Sequence, residues 1–301
     1  MKAINGAARR AARRETLVAL GFVAPSCILY VLFALLPVIA IAVFSFTAID
    51  RFTWHVDFAG LDNFAFVGSD PRFWRSLFNT LLFVVLAVTG NVGLGLVLAV
   101  LLNRRLPAAV LYVLRLSYFL PVLISTALVS LVWRFIYSTD LGILNYYAQA
   151  LGLPKTGWLT DRHVAMLSVV IMDVWKHFGF FMIILLAALQ SVPRMLIEAA
   201  SLDGAGQMRI FWSVQVPVIM PVLLFCVTYA TITGLQVFES VRILTAGGPG
   251  DATNTMVMYM FEQAFSAQDI GAGSSSALIL LVVIVIVTLV QLRASRWTTD
   301  D

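Results

Sequence analysis

Long apolar runs separated by short polar segments set the pattern of this chain. Six runs have the composition of membrane helices, which need roughly 20 apolar residues. They cover residues 16–47, 77–102, 111–137, 164–189, 218–237 and 277–292. The first holds Pro25 and Pro37, which predict a kink or a short interfacial helix ahead of the main span. Gly90, Gly93 and Gly95 in the second predict close helix approach. Three intervening segments read as loops. Residues 49–76 are aromatic and polar, with a turn at Gly60-Leu61-Asp62-Asn63-Phe64. Residues 138–163 hold Gly142, Gly152, Pro154 and Gly157. In 239–276, Gly247-Gly248-Pro249-Gly250 excludes a regular element. Beyond it, Met256, Val257, Met260, Phe261, Ala264 and Phe265 recur at helical spacing. That stripe suits a helix lying on a bilayer surface or a lid over an opening, and the spacing alone supports both.

Residues 191–221 (SVPRMLIEAASLDGAGQMRIFWSVQVPVIMP) depart from the pattern. They form the most polar long segment between two apolar runs, and they carry helix punctuation. Ser191 is placed to accept from the free amides of a first turn, and Pro193 suits that turn because its missing N–H costs nothing there. Helix formers continue through Leu202. Gly204 and Gly206 then stop the helix, since glycine accepts positive φ. A second short helix is expected over 207–214, ended by Pro217 and Pro221. A floppy connection needs none of this, so the segment reads as a compact helical knob that docks into another protein.

Composition supports lipid as the main solvent. The chain is 60% hydrophobic and 12% charged, against about 25% charged in average globular chains. The fold expected is therefore an all-α integral membrane protein. Its six transmembrane helices carry one cytoplasmic helix-turn-helix loop. Arg9, Arg10, Arg13 and Arg14 precede an apolar run that continues to about Ala48, too long for a signal core, so the first span is read as uncleaved. Cys27 and Cys226 lie inside apolar runs and read as packing residues. The net charge of +4 does not indicate nucleic acid, because the basic residues cluster at the ends of apolar runs. With the N-terminus inside, Lys2, Arg9, Arg10, Arg13, Arg14, Arg104, Arg105, Arg115, Arg194, Arg209, Arg293 and Arg296 face the cytoplasm. Arg51, Arg72, Arg75, Lys155, Arg162 and Arg242 face outward, while Arg134 and Lys176 lie within spans. This bias places both termini and residues 191–216 on the cytoplasmic side. The chain divides into a basic N-terminus (1–15), a six-helix domain (16–293) and a short C-terminal tail (294–301).

Several chemistries are excluded. No glycine precedes a lysine, so there is no P-loop. His55, His163 and His177 are the only histidines and form no H-E-x-x-H; no metal site is expected. No G-x-S-x-G elbow occurs, which argues against an enzyme. Ionisable residues inside spans are functional candidates. Asp173, Lys176 and His177 share one helix face. Asp173 and Lys176 are expected to neutralise each other; alternatively this face, with Trp175 and Phe180, lines a polar route. Gln236 and Glu239 close the fifth run, where Tyr229 and Phe238 are placed to stack on a polyhydroxylated solute. Trp175, Lys176, Phe180, Tyr229, Gln236 and Glu239 are the candidate pathway residues.

Glu198-Ala199-Ala200-Ser201-Leu202-Asp203-Gly204-Ala205-Gly206, followed by Pro217 and Pro221, resembles the EAA loop of membrane subunits of bacterial ABC importers. The family's I-x-L-P ending is here Val214-Gln215-Val216-Pro217. Further segments resemble the carbohydrate branch that includes maltose and glycerol-3-phosphate permeases. These are Gly60–Phe64, Asn79-Thr80, Pro121, Gly142–Asn145, Trp175, residues 188–193 and residues 244–249. The resemblance implies a multi-pass permease of the bacterial inner membrane with no cofactor of its own. A second homologous permease subunit, in a heterodimer, would share the pore. Two ATPase subunits holding ATP and Mg would dock on the loop, and an extracytoplasmic solute-binding protein would deliver a sugar-like solute. Glu198, Ala199, Ala200, Asp203, Gly204, Ala205 and Gly206 would carry the coupling. The alternative from another class is an ion-coupled secondary transporter of a small polar solute, which would need coupling groups and usually two matching halves.

Overall fold

A computed structural model describes residues 18–49, 55–104 and 107–296. The basic N-terminus 1–15, Arg51, Arg105 and the last tail residues 297–301 lie outside the described residues. From the N-terminal side, α1 (Val18–Phe44) leads into an antiparallel ribbon, β1 (Thr47–Ile49) against β2 (Val56–Phe58), with Ala48 opposite Asp57. Then come α2 (Asp62–Ser69) and α3 (Pro71–Leu102). Next, α4 (Ala108–Leu123) and α5 (Thr126–Ile136) meet at a 98° bend. They are followed by α6 (Ile143–Ala150), α7 (Ala165–Ser191), α8 (Arg194–Leu202) and α9 (Gln207–Leu235). The chain continues through α10 (Glu239–Leu244), α11 (Met256–Phe261) and α12 (Ile270–Arg296). Five helices, α1, α3, α7, α9 and α12, are long and apolar enough to cross a membrane, and a sixth span arises if α4 and α5 are taken together.

Proline explains where this differs from the sequence expectation. The third apolar run is broken rather than straight. Pro121 has no N–H for the carbonyl a turn earlier, and Ile124 and Ser125 then take extended conformations with ψ of 140° and 135°. The separate interfacial helix expected as one alternative in the first run is not found among the described residues, where Val18–Phe44 is one continuous helix, α1. A π turn over Val31–Leu35 lies just ahead of Pro37, and the Leu36 amide reaches five residues back to the Val31 carbonyl. The wider turn accommodates a residue that cannot donate. The same device operates at Phe211–Gln215 ahead of Pro217, where the Val216 amide bonds the Phe211 carbonyl. The second short helix expected over 207–214 therefore does not stop; it runs into the fifth span. Ser191 is also not an N-cap. Pro193 holds Val192 extended, so α7 ends at Ser191, whose hydroxyl donates to the Ala188 carbonyl at 2.8 Å.

α7 is the central rod. It packs against α3, α4, α9 and α10, and 56% of its most apolar window is buried within the protein, against 0% for α1, which leans on α12. Phe181, Met182, Leu185 and Leu189 of α7 meet Ala99 of α3 and Ile219 and Cys226 of α9. Cys226 is core packing as expected, whereas Cys27 is exposed on α1. Gly179 marks the tightest crossing, because a Cβ there would run into the Tyr118 carbonyl of α4. Gly90 and Gly95 press on Val174 and Phe181, but nothing lies near Gly93.

At the end of the bundle opposite residues 191–206, loops are tied by buried amides. Asn63 donates to the carbonyls of Ser45 and Thr47 at 3.0 and 2.9 Å. Asn145 accepts from the Thr156 amide and from Trp158 Nε1, and donates to the Thr139 and Thr156 carbonyls. Asn79 donates to the carbonyls of Asp251 and Asn254 at 2.8 and 2.9 Å, and Thr80 accepts from the Met256 amide. The Met256–Phe265 stripe is accordingly not a helix on a bilayer surface. Met256 and Tyr259 are fully buried against Val67, Phe73 and Leu280.

Candidate functional site

A cavity of about 540 Å³ opens among α3, α7, α9 and the turn into α10. Its position follows from two helix endings. α9 ends at Leu235, and Gln236 and Phe238 leave helical geometry, so residues 236–240 curl round one side. The break between α4 and α5 supplies Val122 and Thr126 on another. Asn91, Asp173, His177, Phe180, Tyr229, Thr233, Gln236 and Glu239 line the rest.

The polar groups are organised around one carboxylate. Asp173 accepts from Asn91 Nδ2 at 3.0 Å and from His177 Nδ1 at 3.1 Å, one helical turn along. The Asp173 backbone carbonyl is also 3.0 Å from Nδ1. Two acceptors at one nitrogen assign the proton to Nδ1 and leave Nε2 for other partners. Asn91 is 4% exposed, and its Oδ1 has no hydrogen-bond partner among the described residues. The same lining carries aromatic rings. The Tyr229 ring sits 5.3 Å from Phe180 and 6.1 Å from Phe225. Carboxylates and amides together with aromatic rings form an arrangement that holds a solute with hydroxyls on its edge and C–H groups on its face.

Four of the six pathway residues read from sequence, Phe180, Tyr229, Gln236 and Glu239, come together on this lining. Trp175 and Lys176 do not line it. Trp175 packs edge-on to Trp133 at 5.5 Å. Lys176 is 4% exposed, and its ammonium donates to the Val122 carbonyl at 3.3 Å. It thus sits on the C-terminal end of α4, where unmet carbonyls and the helix dipole favour a cation. Asp173 and Lys176 therefore form no direct ion pair, although their charges still act on each other; the direct partners of Asp173 are Asn91 and His177. Asn91, Thr126 and Thr233 went unread. Asn91 carried a signal, an amide amid glycines and apolar residues mid-run, but the glycines drew the reading toward packing.

The 191–206 region is the second feature. Gly204, at φ +78°, reverses the chain after α8, and the Ala205 amide closes the turn on the Ala200 carbonyl. Gly206 does not share this role: at φ −70° and ψ 161° it is the extended cap of α9. Glu198, Ala199, Asp203, Gly204 and Gly206 are exposed, and Ala200 and Ala205 are half-buried. Val192 and Ile210 anchor the knob. Leu202 is 90% exposed, and Met195, Met208 and Trp212 are exposed with it. Large apolar side chains on an ordered turn form a surface suited to contact with lipid or with another protein.

The family model described as "Binding-protein-dependent transport system inner membrane component" matches residues 91–298. The sulfoquinovosyl glycerol transport system permease protein of Agrobacterium fabrum is 32% identical over 94% of this chain and 91% of its own length. The trehalose/maltose transport system permease protein of Thermococcus litoralis is 32% identical over 95% and 96%. In fold, the chain is similar to a subunit of a bacterial ABC transporter involved in import of the acidic polysaccharide alginate. That match has a TM-score of 0.83 and 22% identity, and covers 95% of this chain and 97% of that one.

Proposed function

The chain belongs to the binding-protein-dependent transport system inner membrane component family and is a multi-pass permease subunit of an ABC importer; from that premise we propose that it carries a sugar or polyol through the cavity beside α7. The observation behind this is the lining itself, which brings Tyr229 and Phe180 together with Asp173, Asn91 and Glu239. Relatives named for glycoside and disaccharide transport support the same class of solute.

In this reading Phe180 and Tyr229 stack on the solute, and Gln236 and Glu239 bond its hydroxyls at the rim. Lys176 and Trp175 hold the wall from behind. Residues 191–216 are the coupling loop, and both termini lie with it on the cytoplasmic side. Two ATPase subunits, which bind ATP and Mg, receive α8 in a cleft. Glu198 makes the polar contact, Ala199 and Ala200 keep the helix slim, and Gly204, with Asp203, Ala205 and Gly206, sets the angle to α9. A second permease subunit completes the pore, and an extracytoplasmic binding protein delivers the solute.

The test uses the reconstituted complex. Glu198→Lys and Gly204→Pro should leave ATP hydrolysis running while solute uptake stops. Normal coupling in both variants breaks the assignment of the loop.

A further inference from the structure

The charges on the cavity wall carry information beyond the class of solute. Asp173 and Glu239 line it, and neither Lys nor Arg does. His177 is the single titratable nitrogen there, so the lining is net negative whether or not that ring is protonated. The neighbouring ammonium, Lys176, is buried on the Val122 carbonyl and does not line the cavity, but its charge acts on both Asp173 and Glu239 and offsets part of theirs.

Hydrogen-bond polarity points the same way. His177 directs its Nδ1 proton to Asp173, and Asn91 directs an amide proton there too. What remains toward a solute is the Glu239 carboxylate and Nε2 of a neutral His177, which accept, together with the Gln236 amide and the hydroxyls of Tyr229, Thr126 and Ser240, which donate as well as accept but carry no charge. The Thr233 hydroxyl is already bonded to the Tyr229 carbonyl at 3.0 Å. Such a wall pairs with hydroxyls, which donate and accept, and with ammonium, which donates to carboxylates. A carboxylate, sulfonate or phosphate only accepts, and it would have to shed its water opposite like charge with no Arg or Lys to replace that water.

We propose that this cavity takes an uncharged or cationic polyhydroxylated solute and rejects anionic ones, and that Asp173 and Glu239 set that choice. The inference rests on the reading of the cavity as the solute route, and the experiment separates the two.

Thr233→Cys in a Cys27→Ser background places one thiol on the cavity lining, since Cys226 is buried. In the assembled importer without nucleotide, its reaction rate is measured with two methanethiosulfonates. One carries a trimethylammonium group and the other a sulfonate. Dividing each rate by that for free 2-mercaptoethanol removes the reagents' intrinsic difference, and the thiol's own ionisation cancels in the ratio. The cationic reagent should be favoured about tenfold or more. Adding Asp173→Asn and Glu239→Gln should bring the ratio back toward one. A ratio within twofold of one in the parent overturns the proposal. A high ratio that survives both neutralisations overturns the assignment to these carboxylates. If neither reagent reaches the introduced thiol, the cavity is not an aqueous route, and the underlying functional reading fails instead.

Discussion

Two glycine-bearing segments between apolar spans, 191–206 and 245–262, have opposite relations to the rest of the protein. The second is sealed by its own chain. Asn79 meets two of its carbonyls, Thr80 meets its Met256 amide, and Thr253 bonds Thr245 and the Gly248 carbonyl. Arg72 bridges Asp251 and Glu262 at 3.0 and 2.7 Å, and Tyr259 donates to Asp70. The first is ordered too, but its bonds are local and its large apolar side chains Met195 and Leu202 are exposed, as are Met208 and Trp212 just beyond it. Internal satisfaction of polar groups indicates a structural part. An ordered segment that leaves apolar surface open indicates a part completed by another molecule.

The largest effect expected on the folded chain is at Asn79. Replacing it with alanine leaves one buried and one half-buried carbonyl without this donor, at a cost of about 1–3 kcal/mol, read as a lowered unfolding midpoint in detergent. An unchanged midpoint would show that water replaces the amide and that the segment is less sealed than described.

The ion pairs come next, with a pH signature. Hydrogen bonding from Arg72 holds the Asp251 carboxyl below its ordinary value. A depressed folded value means this contribution is fully present above the ordinary carboxylate range and is lost as pH falls through the folded value. Asp251→Asn should therefore destabilise the chain by about 1 kcal/mol near neutral pH, and the gap to the unsubstituted chain should close as the medium is acidified through that value. A gap that stays constant on acidification removes the ion pair from the account.

The smallest effect on stability is expected at Leu202. Leu202→Ser should change the unfolding midpoint of the permease by no more than about 0.5 kcal/mol, yet reduce co-purification of the ATPase. Loss of stability without loss of the partner would reverse the comparison.

Much of this contrast was legible in the sequence. Apolar length is a local property, so the spans could be placed, and the turn at Gly204 follows from one residue's φ. The α4–α5 break was not legible. Pro121 marks a site where a helix can fail and Ser125 one where another can start, but both sit inside a run whose apolar length reads as a single span. The π turns at Val31–Leu35 and Phe211–Gln215 were missed for the converse reason: Pro37 reads as a kink and Pro217 as a stop, and the helix absorbs each by widening one turn. The Asp173 network was misjudged because spacing places Lys176 and His177 on one face equally well. Only the position of the α4 end shows that the longer side chain reaches a carbonyl instead. The same limit hid Asn91, whose role depends on a helix roughly eighty residues away in sequence.

Hydrogen exchange on the permease alone and in the assembled importer tests the central claim most directly. Amides across 194–209 should gain protection when the ATPase subunits bind, while those across 251–262 stay as protected as before. Unchanged exchange across 194–209 in the intact complex would contradict the account.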